Sequence, residues 1–257
     1  MKGNSKMRIV FLAVNDEFAG SMQKYVYDRH PGWVVGLVLS TQPIYKKTKL
    51  GGLLFLLKIS GFMYLAEMVR MKIAGKILGR EKSMTPQKLA KAHQAEIYYS
   101  SNINDAESLA QLAAWSPDLI ISTNFSHYIG EKVRHAARFG TWNLHKSLLP
   151  HYRGMAPSFY ALLNREQKVG ATLHKVAKGF DTGDILCQVE VPIAVDDSVE
   201  SLNRKTSELG GDMLVRYLEQ IDLSDIRTTP QPPGKWPNHS YPTRLDIEVF
   251  RTMGCNF

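Results

Sequence analysis

The 257-residue chain is poor in cysteine: Cys187 and Cys255 are the only two, and they are far apart. Two such thiols cannot build a disulfide framework or a thiolate metal set, so a reducing cytoplasm is the expected setting. Long apolar runs are also missing. Leu50 to Leu57 and Ile59 to Ala66 are uncharged, but Lys58 and Glu67 interrupt them. Neither run reaches the roughly 18 residues of a spanning helix, so no membrane crossing is expected. The opening run Arg8 to Val14 leads into Asn15-Asp16-Glu17 with no small-residue cleavage site, which reads as a strand and not a signal segment. There are no internal repeats and no flexible linker.

What is present is an ordinary globular balance, 44% hydrophobic and 22% charged. A chain below about 300 residues can bury one sizeable core. The net charge of +8 is less ordinary and suggests nucleic acid, an anionic membrane or an anionic ligand as partner. Its location narrows the choice. Residues 46–82 hold nine Lys/Arg against Glu67 and Glu81, a net of +7, so the rest of the chain is nearly neutral.

Along the chain, short apolar strands alternate with helical segments. Strands are predicted at Arg8–Val14, Trp33–Ser40, Ile97–Tyr99, Asp118–Ser122 and into Asn143-Leu144-His145. Helices are predicted at Phe18–Arg29, Ala106–Ala114 and about 130–138. Strands apolar on both faces indicate a mostly parallel α/β sheet covered by helices, with ligands at the strands' carboxyl ends. Gly170–Val176 and Ile185–Val191 read as a hairpin around a Gly-Phe-Asp-Thr-Gly-Asp loop. Ser198 caps a helix reaching Ile221, and a Pro-rich tail ends in a short helix near 243–252.

The stretch with most chemistry is Asn143-Leu144-His145-Lys146-Ser147-Leu148-Leu149-Pro150. Strand alternation puts Asn143 and His145 on one face, where an amide donor and an imidazole could hold a carbonyl oxygen as it becomes an oxyanion. Asp181, in its glycine-flanked loop, is the candidate carboxylate to orient the imidazole and favour its protonated form. Spacing alone also fits a turn or a satisfied structural pair. His174 reads as structural or acceptor-facing, His30, His93, His135 and His239 have no ligand spacing, and Cys187 reads as a buried strand residue.

With Tyr152-Arg153-Gly154-Met155-Ala156-Pro157 and Asp181-x-Gly183 added, the pattern resembles the folate-dependent formyltransferase family, in its methionyl-tRNA and amino-sugar branches. Arg8-Ile9-Val10-Phe11 and Asn15-Asp16-Glu17-Phe18-Ala19 resemble the same branches. The resemblance covers roughly 7–40 and 96–205. It implies an open Rossmann-like α/β fold and transfer of a formyl group from 10-formyltetrahydrofolate to a primary amine, with no metal. Asn143 would donate to the formyl oxygen, His145 would act as the acid, and Asp181 would orient His145 and accept the amine's proton. Matching positions for the folate pocket include Phe125, Ser126, His127, Ile129, Ala177, Gly179 and Phe180; a flat pterin wants apolar walls, for which Phe125, Ile129, Trp142 and Phe180 are the candidates. His127 and Tyr128 depart from the family's usual residues there.

The resemblance also divides the chain into a catalytic unit at 1–205, with a helical insertion at 41–95, and a C-terminal helix and irregular tail at 206–257. In the insertion, Lys72, Lys76 and Arg80 lie four apart beside Met68, Met71, Ile73, Ile77 and Leu78, the pattern of an interfacial helix. Two readings stay open: peripheral contact of 46–82 with the inner membrane surface, or packing on this chain's own body or a sister subunit in a homodimer. A small amine acceptor, on a nucleotide sugar or a lipid, is expected ahead of tRNA, because the family's tRNA enzymes carry a further β-barrel domain. A hydrolase releasing formate, which usually has a domain in front, and a non-catalytic folate- or membrane-binding relative are the remaining alternatives.

Overall fold

The computed structural model describes residues 7–42, 44, 46–77 and 84–257. β1 (Ile9–Ala13) is buried at every position and leads to α1 (Glu17–Arg29), whose N-cap Asp16 accepts from the Ala19 N–H at 2.8 Å. β2 (Val34–Ser40) follows, then the insertion helix α2 (Lys49–Ile77) and α3 (Pro86–Ala92). β3 (Glu96–Ser100), α4 (Ala106–Trp115), β4 (Leu119–Thr123), α5 (Glu131–Arg134) and β5 (Thr141–His145) complete the parallel part. The two-residue strand β6 (Arg153–Gly154) and α6 (Pro157–Leu163) precede the antiparallel pair β7 (Lys168–Lys175) and β8 (Ile185–Pro192). α7 (Val199–Gln220), β9 (Asn238–His239) and α8 (Arg244–Thr252) close the chain.

The strands form an open seven-stranded sheet in the order β3-β2-β1-β4-β5-β7-β8, parallel as far as β5. One face is buried under α1, α3 and α7 through Met22, Val26, Leu89, Leu214 and Leu218; the other packs on Leu112 and Trp115 of α4. α7 carries the expected Ser198 cap, with Ser201 closing a capping box, and is unbroken through residue 205. The chain order reverses between β1 and β4, so a crevice opens at their carboxyl ends. Asn124 Nδ2 reaches across it to Asp16 Oδ2 at 2.5 Å.

Two expectations need correction. The helix predicted at 130–138 is the single turn Glu131–Arg134, because the chain must bend back into β5; Thr141 Oγ1 takes the Val133 carbonyl that a longer helix would use. The insertion is not two separate runs. Lys58 lies on the exposed side of α2 and does not interrupt it, so Lys49–Arg70, with a mean hydropathy of 1.6, is long and apolar enough to span a membrane by length and composition. What divides α2 is Gly61, at φ 79° and ψ 176°, a backbone glycine adopts freely; among the described residues, the limbs 49–60 and 62–77 each fall short of a span.

α2 packs on the chain's own tail. Ser60 Oγ donates to the Pro242 carbonyl at 2.5 Å, Arg244 Nη2 to the Leu57 carbonyl at 3.2 Å, and Tyr64 meets Phe257 edge-on at 5.9 Å. Ile247 and Phe250 of α8 join Phe159, Tyr160 and Val199 in a separate buried cluster. Of the basic row expected in the insertion, Arg80, along with Leu78 beside it, lies outside the described residues, as does Lys82.

Candidate functional site

β5 ends at the crevice, and its alternation sorts its side chains between core and cavity. Trp142 and Leu144 point into the α1/α7 core, where Trp142 is fully buried edge-on to Tyr217. Asn143 and His145 point the other way, into a cavity of about 620 Å³. The antiparallel register sets His174 of β7 directly opposite Asn143. The Asp181 loop then returns over both. Asn143 Nδ2 lies 3.1 Å from Asp181 Oδ1 and 3.1 Å from His174 Nε2, so its two amide hydrogens have two acceptors. His174 Nδ1 donates to the Lys175 carbonyl at 2.8 Å, leaving Nε2 as the acceptor.

Asp181 sits in the left-handed region at φ 50°, a conformation Asp tolerates better than most residues. Its Oδ2 accepts from the Gly154 N–H at 2.8 Å and lies 3.6 Å from His145 Nδ1; its Oδ1 lies 3.5 Å from His174 Nε2. Burial alone would raise its pKa, but the charge His145 carries when it takes a second proton, together with the Gly154 N–H, outweighs burial and holds the carboxyl far below the usual range, so it is ionised. Gly183 makes the loop possible: a Cβ there would lie 1.7 Å from the Lys175 carbonyl oxygen.

His145 Nε2 donates to the Tyr152 carbonyl at 2.9 Å, which leaves the Nδ1 lone pair facing Asp181. Burial pushes the imidazole below its ordinary pKa against the pull of Asp181, so His145 rests neutral. Asp181 pulls toward the protonated form, as expected, but desolvation outweighs the carboxylate at 3.6 Å. The next proton goes to Nδ1, where Asp181 waits.

Phe125, Ser126, His127, Ile129, Ala177, Gly179 and Phe180 all line the same cavity as Asn143, His145 and Asp181. Trp142 does not. Its predicted place in the pocket wall is overturned by the two-residue alternation that puts Asn143 in the cavity. His127 gives its polar atoms to the fold: Nδ1 accepts from the Ile103 N–H at 3.2 Å, and Nε2 meets Ser40 Oγ at 2.8 Å. Burial lowers its pKa to about 4, against the charge of Asp105, and a ring that accepts at Nδ1 must be neutral.

Several residues in or around the cavity had no usable sequence signal. His174 reaches Asn143 only through strand pairing. Gln231, from the Pro-rich tail, donates to the Asp181 and Gly183 carbonyls and accepts from Arg153. Lys146, lowered by burial against the charge of Asp16, lies 4.8 Å from the centre of the Phe18 ring. Tyr64 and Met68 of α2, with Tyr241 and Phe257 of the tail, line the cavity away from the strand ends. Among the described residues, no group of three His, Cys, Asp or Glu side chains is disposed to hold a metal ion.

A family profile described as "Formyl transferase" matches residues 71–218. The methionyl-tRNA formyltransferase of Halalkalibacterium halodurans is 36% identical over 157 residues, 60% of this chain and 50% of the relative. That of Thermotoga maritima is 34% identical over 154 residues, 60% and 49% of the two chains. The chain thus spans about half the length of the curated relatives it matches. Among solved structures, an N-formyltransferase from Helicobacter canadensis, in complex with folinic acid and dTDP-3-aminofucose, superposes with a TM-score of 0.61 at 17% identity, over 91% of this chain and 71% of that one. Glycinamide ribonucleotide transformylase 1 from Symbiobacterium toebii superposes at 0.59 and 16% identity, over 90% and 98%. At these identities the superpositions establish the fold.

Proposed function

The chain belongs to the formyl transferase family, and on that premise we propose that it moves a formyl group from 10-formyltetrahydrofolate to the primary amine of an amino sugar or another small or lipid-linked carrier. The observation that carries this reading is the convergence of Asn143, His145, His174 and Asp181 at one end of a single cavity. The residues fit a folate: about 620 Å³ lies within the range of small-molecule sites, and Phe125, Ile129 and Phe180 offer apolar walls to a flat ring. Bound there, 10-formyltetrahydrofolate supplies an activated formyl group on a nitrogen that can leave.

The chain's own groups do the rest. Asn143 turns an amide N–H from Asp181 or His174 to the formyl oxygen, at the position where negative charge develops. Asp181, ionised, accepts the proton the attacking amine loses, directly or through water. Passed to His145 Nδ1, that proton makes an imidazolium that Asp181 steadies and that is an acid for the departing nitrogen. Asp181 therefore orients the imidazole in both of its protonation states.

The amino-sugar acceptor is supported by the Helicobacter canadensis enzyme, whose complex holds dTDP-3-aminofucose. Methionyl-tRNA is the second reading, favoured by the identity to the curated relatives. The division into a catalytic unit at 1–205, with its insertion at 41–95, and an extension at 206–257 is part of the proposal. In this reading the extension is not a separate body: α7 crosses residue 205 unbroken, and Tyr241 and Phe257 line the same cavity as the catalytic unit. A cytoplasmic location goes with the same reading.

The test is tetrahydrofolate release from 10-formyltetrahydrofolate with no amine, with a nucleotide-linked amino sugar and with methionyl-tRNA. Release that depends on the amino sugar, with a CO mass gain on it, is expected. Dependence on methionyl-tRNA selects the second reading. Release without amine, or none with any acceptor, overturns transfer in favour of a hydrolase or a binder.

A further inference from the structure

α2 is apolar on nearly every side, a pattern that belongs in a protein core or in lipid, yet one side of it faces water. Leu50, Leu53, Leu54 and Leu57 recur at the spacing of one helical face, and Phe62 and Val69 are exposed on the second limb beyond Gly61. Phe62 is 74% exposed and Leu50 66%. Half of the exposed large hydrophobic residues among the described residues sit on this one helix. α8 adds Leu245 and Val249, and Arg251 Nη1, 3.0 Å from Met63 Sδ, holds α8 alongside. Single exposed apolar residues need no explanation; a gathered set marks an interaction surface.

The charge on this segment decides what covers it. Lys49 and Lys58 are exposed beside the apolar residues, Arg70 is exposed and paired with Glu67 at 2.6 Å, and the sequence of 46–82 carries a net +7. A second copy would set that charge against its own sign, whereas an anionic lipid surface attracts it by about 1 kcal/mol per basic residue. Gly61 divides the helix into limbs that, among the described residues, are too short to span, so it would lie in the interface plane.

We propose that the outer face of α2, with Leu245 and Val249 of α8, docks on an anionic phospholipid surface. Tyr64 and Met68, on the inward side of the second limb, line the cavity. Docking therefore holds that cavity within about one helix diameter, ~10 Å, of the lipid headgroups. That the cavity then meets amines carried by the membrane rests on the transfer reading above; the docking itself does not.

The experiment is flotation of the full chain with vesicles of phosphatidylcholine and phosphatidylglycerol in equal parts, and with phosphatidylcholine alone. Capture by the anionic vesicles, weakened by salt, is expected. The double variant Leu54→Gln/Phe62→Gln should partition about tenfold more weakly, since both side chains would enter the headgroup boundary. Both residues face water in the free protein, so circular dichroism and thermal unfolding should be unchanged, as should tetrahydrofolate release with a soluble amine. No capture by anionic vesicles overturns the proposal, as does equal capture of the double variant. A dimer in sedimentation that the double variant dissolves, with no vesicle capture, overturns it in favour of self-association. Flotation needs no folate, so its failure is distinct from a failure of formyl transfer.

Discussion

Gln231 Nε2 donates to the main-chain oxygen of Asp181 at 2.8 Å, and at the same distance to that of Gly183, while Gln231 Oε1 accepts from Arg153 Nε and Nη2. One amide from the tail thus pins the loop that holds a buried carboxylate in a left-handed backbone, at a conformational cost of about 1–2 kcal/mol for an L-residue.

Removing that amide should slacken Asp181 without touching either substrate. Gln231→Ala is expected to lower kcat about tenfold with KM for both substrates unchanged, because displacements of about 1 Å at a reacting centre can cost up to two orders of magnitude. Gln231→Glu keeps an acceptor for Arg153 but loses the N–H donors, and should be as slow. A rise in KM with kcat intact would show that Gln231 shapes the pocket instead. Steady-state release of tetrahydrofolate reads both constants.

Asp181→Asn and His145→Ala should each lower turnover by at least about a hundredfold. The proteins should stay folded by circular dichroism, since Asn preserves the shape of Asp181 and removing His145 strips one imidazole from the edge of a cavity. Turnover within a few-fold of the parent in either variant would remove that residue from the mechanism.

The α2 wall should govern the amine. Met68→Ala and Tyr64→Ala are each expected to raise KM for the acceptor about tenfold, the effect of losing part of an apolar pocket, and to leave KM for 10-formyltetrahydrofolate in place. Varying one substrate at a saturating level of the other separates the two. A rise confined to the folate would assign this wall to the cofactor.

Acid should weaken the fold through His127. Its pKa is about 4 when folded, lowered by burial, against an ordinary 6.5. Below pH 6.5 the unfolded chain binds the proton first, so this contribution is intact above 6.5 and is lost as pH falls toward 4. The slope in that window approaches about 1.4 kcal/mol per pH unit for one proton. Urea unfolding across the window should show it, and His127→Asn should flatten it by about one proton. An unchanged slope in that variant would place the acid sensitivity in His145 or His239, which burial also lowers.

The parts of this molecule legible in sequence are those set by neighbours along the chain. Ser198 announces α7 because a cap acts within one turn, and Asn143 with His145 announces a shared face because strand alternation is local. The same alternation, carried one residue further, sends Trp142 to the core, whereas its flat apolar side chain alone suggests a pocket wall. His174 and Gln231 are hidden because each reaches the site across many residues, one by strand register and one from an irregular tail. Lys58 looks like a helix break because a charge stops an apolar count, but on an exposed helical face it stops nothing. The break falls at Gly61, where the backbone and not the hydropathy changes.

The cavity has two walls of different origin. The strand ends supply Asn143, His145, His174 and Asp181, while α2 and the tail supply Tyr64, Met68, Tyr241 and Phe257, none of which titrates near neutral pH. Substitutions in the second wall change shape without altering the proton inventory of the first. Changes in the insertion and tail can therefore reshape the cavity while the titrating groups at the strand ends stay as they are, so shape and proton chemistry can vary separately here.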